Sequence, residues 1–194
     1  MNKTTREIWL IRHGESTANA GAVTEDHTII PLTEKGHNQA KEVSKIIPHT
    51  PSQIIISPYL RAVQTALPTL IRFPDVPHQT WEDTREFTYL DPSTCINTSS
   101  ADRRGRVSAY WEHLDQDYID GPGAESFSMF ITRTKAFIVS LANLPPGLTL
   151  VFTHAQFIQA AQALKTTQYS PEILMQDFRD LPHIKNCEII KWEE

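Results

Sequence analysis

The feature that most constrains this chain is a short apolar run, Ile8-Trp9-Leu10-Ile11, that stops abruptly at Arg12-His13-Gly14. An uninterrupted run of that length reads as a buried strand. In an open α/β sheet ligands bind at the carboxyl ends of strands, so the polar residues that follow stand where chemistry is done. An Arg offers a planar fork to phosphate oxygens, and a His attacks or shuttles protons. A Gly lets the main chain come close to an anion.

The rest of the chain alternates strand and helix signals as a doubly wound α/β domain does. Thr33 reads as a helix N-cap, followed by an apolar stripe of Ala40, Val43 and Ile47 that ends before Pro48. Gln53–Ser57 carries the β-branched run Ile54-Ile55-Ile56, and Pro58 suits the first position of a helix capped by Ser57. Pro68 is expected to kink or end that helix, with three or four residues continuing. A weaker strand signal covers His78–Glu82. Phe127, Phe130, Ile131, Thr134, Phe137, Ile138 and Leu141 give a long amphipathic helix. Leu148–Thr153 is a strand, Ala155–Leu164 a largely apolar helix and Cys187–Trp192 the last strand. Between them, residues 91–123 hold Arg103, Arg104, Arg106, Tyr110 and Trp111 with few aliphatics. A helix from about Ser100 to Gln116 is expected there, lying over the pocket rather than in the core.

Composition narrows the function classes. Eighteen Lys and Arg against 23 Asp and Glu leave a formal charge of −5, which argues against a nucleic-acid or anionic-membrane surface. An anionic substrate must then be drawn by a local cationic pocket. No stretch approaches the ~20 apolar residues of a membrane span. Met1–Glu7 is polar and leads straight into the first strand, so no signal peptide is expected and the chain reads as cytoplasmic. Cys95 and Cys187 have no metal or disulfide spacing. His27, His37, His49, His78, His113 and His183 are scattered singly, and no Gly-rich nucleotide loop is visible. No metal and no cofactor are expected.

Five segments, in order, resemble the histidine phosphatase superfamily, the phosphoglycerate-mutase-like family. They are Arg12-His13-Gly14, Pro31-Leu32-Thr33-Glu34-Lys35-Gly36, Ser57-Pro58-Tyr59-Leu60-Arg61-Ala62, Arg85-Glu86-Phe87 and Thr153-His154-Ala155. Gly123-Ala124-Glu125-Ser126 is also close to the family's Gly-Glu-Ser segment. The resemblance implies a three-layer α/β/α sandwich with a mainly parallel central sheet. It makes 1–194 a single domain, with 88–122 as a substrate-capping insertion. It further implies metal-independent phosphomonoester hydrolysis through a phosphohistidine on His13.

In that reading Arg12 and Arg61 hold phosphate, and His154 hydrogen-bonds a phosphoryl oxygen as charge spreads in the transition state. Ala155 stands where the family usually has Gly. Glu86 falls at the position of the general acid and base, although Glu82 and Asp83 lie nearby. Asn19, Ser16 and Thr17 are candidate hydrogen-bond donors to phosphate, and Glu15 is expected to neutralise an arginine. Ser126 is either a site residue or the cap of its helix. Arg103, Arg104 and Arg106 are candidates for a second anionic group on the substrate. The expected partner is a small-molecule phosphomonoester, and the sequence does not give the oligomeric state. Two other readings stand beside hydrolysis. A cofactor-dependent phosphoglycerate mutase would have a longer chain with an extended cap. An inactive phosphate- or phosphoprotein-binding module would have no need of Glu86.

Overall fold

A computed structural model describes residues 6–166 and 169–192. Among these residues five strands form one sheet, built from β1 (Arg6–Arg12), β2 (Gln53–Ile56), β3 (His78–Thr80), β4 (Gly147–Thr153) and β5 (Ile189–Trp192). The order across the sheet is β3-β2-β4-β1-β5. β1, β4, β2 and β3 run parallel, and β5 joins β1 antiparallel as an edge. Parallel strands need crossovers, and helices supply them on both faces.

The alternation along each strand shows how the faces are filled. Ile8, Leu10, Ile55 and Val151 face a core shared with α4 (Phe127–Leu141), α5 (Ala155–Thr166) and α6 (Pro171–Asp177). Trp9, Ile11, Ile54, Ile56, Leu150 and Phe152 face the opposite side, against Val43 and Ile47 around α1 (Glu34–Ile46) and Ala66 of α2 (Leu60–Arg72). The expected three-layer architecture with a mainly parallel sheet is what forms. Because both faces are covered, the central strands are apolar throughout rather than alternating.

Two glycines hold the first crossover tight. A Cβ on Gly14 would lie 2.6 Å from the Gly36 carbonyl oxygen, and one on Gly36 would lie 2.1 Å from that of Glu15. Gly14 therefore serves the close approach of α1.

Several local expectations change. α2 starts at Leu60 and not at Pro58, and the Tyr59 side chain at its cap position makes no capping bond to the helix. Its first amide donates to the Thr28 carbonyl at 2.8 Å, and Ser57 is used elsewhere. Pro68 lies inside α2, which continues four residues to Arg72 as expected. The helix expected over 100–116 shortens to α3 (Arg104–His113). Ser99 and Asp102 bond each other ahead of it, and Leu114 ends it at φ 49° in the left-handed region. Nor does α3 merely lie over the pocket: Tyr110 and Trp111 are buried in the α4–α6 core. α6, opened by Ser170 and Pro171, was not foreseen, although a Ser-Pro start is a helix signal. Cys95 and Cys187 are free thiols. Among the described residues no helix is long and apolar enough to cross a membrane.

Candidate active site

Register alone assembles the centre of the site. Arg12 pairs with Thr153, and Ile56 with Phe152, so β1, β4 and β2 end level with one another. The residues just past those ends are His13, His154 and Ser57. The His13 amide donates to the Thr153 carbonyl at 2.9 Å, and the Ser57 amide to that of Phe152 at 2.9 Å. The two imidazoles meet edge to face with centroids 5.3 Å apart. Arg12, His13, Arg61 and His154 are 8%, 4%, 7% and 0% exposed, so this is a dry, cationic pocket floor.

One hydrogen bond defines the state of His13. Its Nδ1 lies 2.7 Å from the Gly14 carbonyl oxygen. A carbonyl only accepts, so Nδ1 carries the proton and the lone pair is on Nε2. Burial, with Arg61 and Arg12 beside it, pushes the His13 pKa well below its ordinary value, and the bond to Gly14 only partly offsets this. The ring is therefore a neutral base at physiological pH, which is the nucleophilic form.

His154 is driven down likewise, first by burial and then by Arg61 and His13. Its Nε2 is 2.7 Å from Ser57 Oγ, while its Nδ1 is buried with no partner. A proton on Nε2, donated to Ser57, leaves only a lone pair unsatisfied on the ring. Ser57 was read from sequence as a helix cap. The buried imidazole recruits its hydroxyl instead, which is why α2 begins later.

The arginines are held by carbonyls. Arg12 NH1 donates to Ile184 O at 2.6 Å, and its Nε is buried without a partner. Arg61, in the first turn of α2, donates NH1 to His27 O at 2.8 Å and lies 4.9 Å over the Tyr59 ring. The Tyr59 ring in turn packs edge-on against His154 and His27. Burial lowers the pKa of both guanidiniums and Glu86 opposes it. They remain cations throughout the physiological range.

Glu86 lies in a stretch without helix or strand and lines a cleft of about 280 Å³ with Arg61, Tyr59, Tyr89, Arg103, Val107 and Gln156. Burial raises its pKa, while Arg61 and the amides of Phe87 and Gln156 pull the other way. The neighbouring candidates separate from it: Glu82 and Asp83 are exposed on a short 3-10 turn.

The remaining candidates divide. Asn19 is exposed at the rim, where its Oδ1 accepts from the Ser16 amide at 3.2 Å and from Asn186 Nδ2 at 3.2 Å. Ser16 is buried and its Oγ accepts from the Asn19 amide, while Thr17 is half-buried beside them. Glu15 pairs with Lys35 at 2.6 Å and Thr33 Oγ1 at 2.9 Å, not with an arginine, because the start of α1 reaches it first. Ser126 caps α4, accepting from the Met129 amide. Of the three arginines near α3, only Arg103 borders the cleft, its NH1 bonded to Thr98. Arg104 is exposed, and Arg106 pairs with Asp120 at 2.6 Å.

Sequence reasoning missed the segment at 184–188. Besides the Ile184 carbonyl, Asn186 Nδ2 donates to His13 O at 3.1 Å, and the Cys187 amide donates to Arg12 O at 3.1 Å. These contacts join a loop to β1 from 172 residues away or more, and no local pattern marks them. Among the described residues no group of three or more His, Cys, Asp or Glu side chains is arranged to hold a metal ion.

Comparison with known proteins follows this geometry. The sequence profile of the histidine phosphatase superfamily (branch 1) matches residues 8–193. The adenosylcobalamin/alpha-ribazole phosphatase of Salmonella typhimurium is 28% identical over 134 residues, 69% of this chain and 66% of that protein. The chain thus spans just under two thirds of that relative's length. The 2,3-bisphosphoglycerate-dependent phosphoglycerate mutase 2 of Lactobacillus johnsonii is 39% identical over 70 residues, 34% of this chain and 31% of the mutase. Among solved structures, the alpha-ribazole phosphatase of Shigella flexneri superposes with a TM-score of 0.74 at 20% identity, covering 95% of this chain and 89% of that one.

Proposed function

The chain belongs to the histidine phosphatase superfamily, and we propose that it hydrolyses small-molecule phosphomonoesters through a phosphohistidine on His13. The observation that carries this is the Nδ1–H bond from His13 to Gly14, which leaves a neutral Nε2 lone pair among buried cations. In the first step Nε2 attacks phosphorus, the P–O ester bond breaks, and the Glu86 carboxyl gives its proton to the leaving alkoxide. In the second, the Glu86 carboxylate takes a proton from water, the water oxygen bonds phosphorus, and the P–N bond breaks. His13 is thereby returned neutral. Arg12 and Arg61 hold the phosphoryl oxygens and spread their charge, and His154 joins them by turning its Nε2–H from Ser57 to the bound phosphoryl group, with Asn19, Ser16 and Thr17 at the rim. The raised Glu86 pKa supports a carboxyl protonated when the ester arrives.

Residues 88–122 form the cap of the single domain in this reading, and the alcohol part of the substrate sits under it. Tyr59, Tyr89 and Val107 wall that side of the cleft beside Arg103. They favour an alcohol with an aromatic or apolar body over a small, highly polar one. Two free thiols and a net charge of −5 fit a reducing, cytoplasmic setting and a partner that is neither nucleic acid nor membrane.

The test is hydrolysis of 4-nitrophenyl phosphate in excess chelator, wild type against His13→Ala. Turnover should survive chelation and fall about 10³-fold or more in the variant. Acid-labile, base-stable phosphate should label the wild type alone. Equal turnover in both proteins would overturn the mechanism. Phosphoryl transfer to an added acceptor alcohol, but not to water, would make the protein a mutase.

A further inference from the structure

A buried ion pair lies behind Glu86 that none of the steps above uses. Glu125 directly precedes the cap of α4 and Arg133 lies on α4, and they are 4% and 7% exposed. Arg133 donates Nε to Glu125 Oε2 at 2.9 Å and NH2 to Oε1 at 2.6 Å, a two-point fork. Its remaining hydrogens go to the main chain that carries Glu86. NH1 donates to Asp83 O at 2.7 Å and Arg85 O at 2.8 Å, and NH2 to Glu86 O at 3.2 Å. Glu125 fixes the other flank: its Oε1 accepts from the Thr88 amide at 3.1 Å, and its own amide donates to Thr88 O at 2.9 Å. Arg85 NH2 reaches Glu125 Oε2 at 3.2 Å, and Arg133 covers Phe130, on which Phe87 stacks at 4.5 Å.

This arrangement is costly as a means of stability alone. Removing two charges from water is offset only by very good geometry, and an apolar pair often serves a core as well. What the ion pair supplies that an apolar pair does not is direction: donors aimed at three carbonyls where the chain leaves a short 3-10 turn and runs on through Arg85 and Glu86 with no ladder or helix to fix it. Glu86 must reach the leaving oxygen within hydrogen-bond distance, and a shift of about 1 Å in such a group costs about 10²-fold in rate.

We infer that Arg133, locked by Glu125, is a positioning residue that sets where the Glu86 carboxyl meets the leaving group. The inference rests on Glu86 being the proton donor. Its signature is dependence on the leaving group. An aliphatic alkoxide needs a proton to depart, whereas 4-nitrophenolate departs with little help. The quantity to compare is kcat/KM, which reports steps through phosphoryl transfer to His13 and excludes hydrolysis of the common intermediate.

The experiment measures kcat/KM for 4-nitrophenyl phosphate and 2-phenylethyl phosphate in wild type, Arg133→Lys, Glu125→Gln and Glu86→Gln, with Tm for each. Lys keeps the charge but cannot form the fork. Arg133→Lys should lose about 10- to 100-fold on the alkyl ester, with the nitrophenyl ester nearly unchanged. Glu125→Gln should show a weaker split in the same direction, and it carries the test if Arg133→Lys does not fold. Glu86→Gln should show the largest split. Equal losses on both esters, or none, in Arg133→Lys and Glu125→Gln would make the pair a structural brace and overturn the inference. If Glu86→Gln itself shows no split, the proton-donor reading fails, and the inference with it.

Discussion

The strand-end platform and the segment that carries Glu86 are held in place by different physics. His13, Ser57 and His154 are fixed by sheet register, because three parallel strands end level and each contributes the next residue. Moving any of them means moving a strand buried on both faces. Glu86 has no such support. Its neighbours in the chain are tied through side-chain bonds from Arg133, Glu125 and Thr153, whose Oγ1 donates to Thr84 O at 2.6 Å. The platform is rigid by topology, and the acid–base segment is held by a few polar contacts and by the packing of Phe87 on Phe130. Substitutions should therefore act by chemistry on the platform and by geometry on the segment.

The sharpest break in that contrast is Glu86→Gln. General acid catalysis is worth about 10²–10⁴-fold, and that range is the expected loss of kcat/KM on alkyl phosphates. The pH profile supplies an independent check. Activity requires neutral His13, whose pKa is lowered, and protonated Glu86, whose pKa is raised. The acid limb therefore reports His13, and the alkaline limb reports Glu86. Glu86→Gln should abolish the alkaline limb that Glu86 contributes, and an alkaline limb identical to wild type would assign it to another group.

Next in size is acid sensitivity of the platform. His13 and His154 are buried with pKa values held below the ordinary 6.5. Below that pH the unfolded chain binds the protons that the folded rings refuse, so stability falls with falling pH. Each ring contributes up to about 1.4 kcal/mol per pH unit, until its folded-state pKa is reached. Glu86 acts in the opposite sense, since its raised pKa weakens stability as pH climbs above the ordinary carboxyl range. Tm should drop steeply between pH 6.5 and 5, and His154→Asn should flatten that drop. A Tm indifferent to pH over this window would show that the rings are not held neutral.

How much of this could be read from sequence follows the same division. The platform was legible because an apolar run that stops at a polar residue is a local signal, and three such stops fall together once the sheet forms. Ser57 was the exception. Its proximity to Pro58 made a helix cap the natural local reading, and only the tertiary approach of His154 overrides it. The segment beyond Glu86 was hardly legible. Arg103, Arg104 and Arg106 look alike as charges on a helix, yet one borders the cleft, one faces solvent and one pairs with Asp120. The role of Arg133 was invisible for the same reason, since carbonyl acceptors are common to every residue. Asn186 and the Ile184 carbonyl reach the site from a loop with no periodicity at all.

Ser57→Ala probes the one platform residue that sequence misassigned. Removing the hydroxyl leaves both ring nitrogens of His154 without a partner, and the tautomer is no longer fixed. A neutral hydrogen bond contributes about 0.5–1.5 kcal/mol, which corresponds to a loss of about 2- to 13-fold. The loss should be equal for aryl and alkyl esters, because the contact tunes phosphate binding and not protonation of the leaving group. A loss confined to alkyl esters would place Ser57 with the acid–base segment and blur the contrast.

The smallest effect belongs to Arg103, at the outer edge of the cleft. Its guanidinium is anchored on Thr98 through O and Oγ1, and it is half-buried and partly solvated. A partly solvated cation is worth little unless the ligand brings an anion to it, about 0–1 kcal/mol. Arg103→Ala should therefore leave kcat unchanged for 4-nitrophenyl phosphate. It should raise KM by no more than about fivefold for esters whose alcohol carries a carboxylate or second phosphate. This split is the converse of the one expected for Arg133: it falls on KM, follows the charge of the alcohol and ignores its leaving ability. If Arg103→Ala lowered kcat on every ester alike, the cap would be shaping the reacting centre itself. The line between a platform fixed by register and a segment fixed by contacts would then have to be drawn farther out.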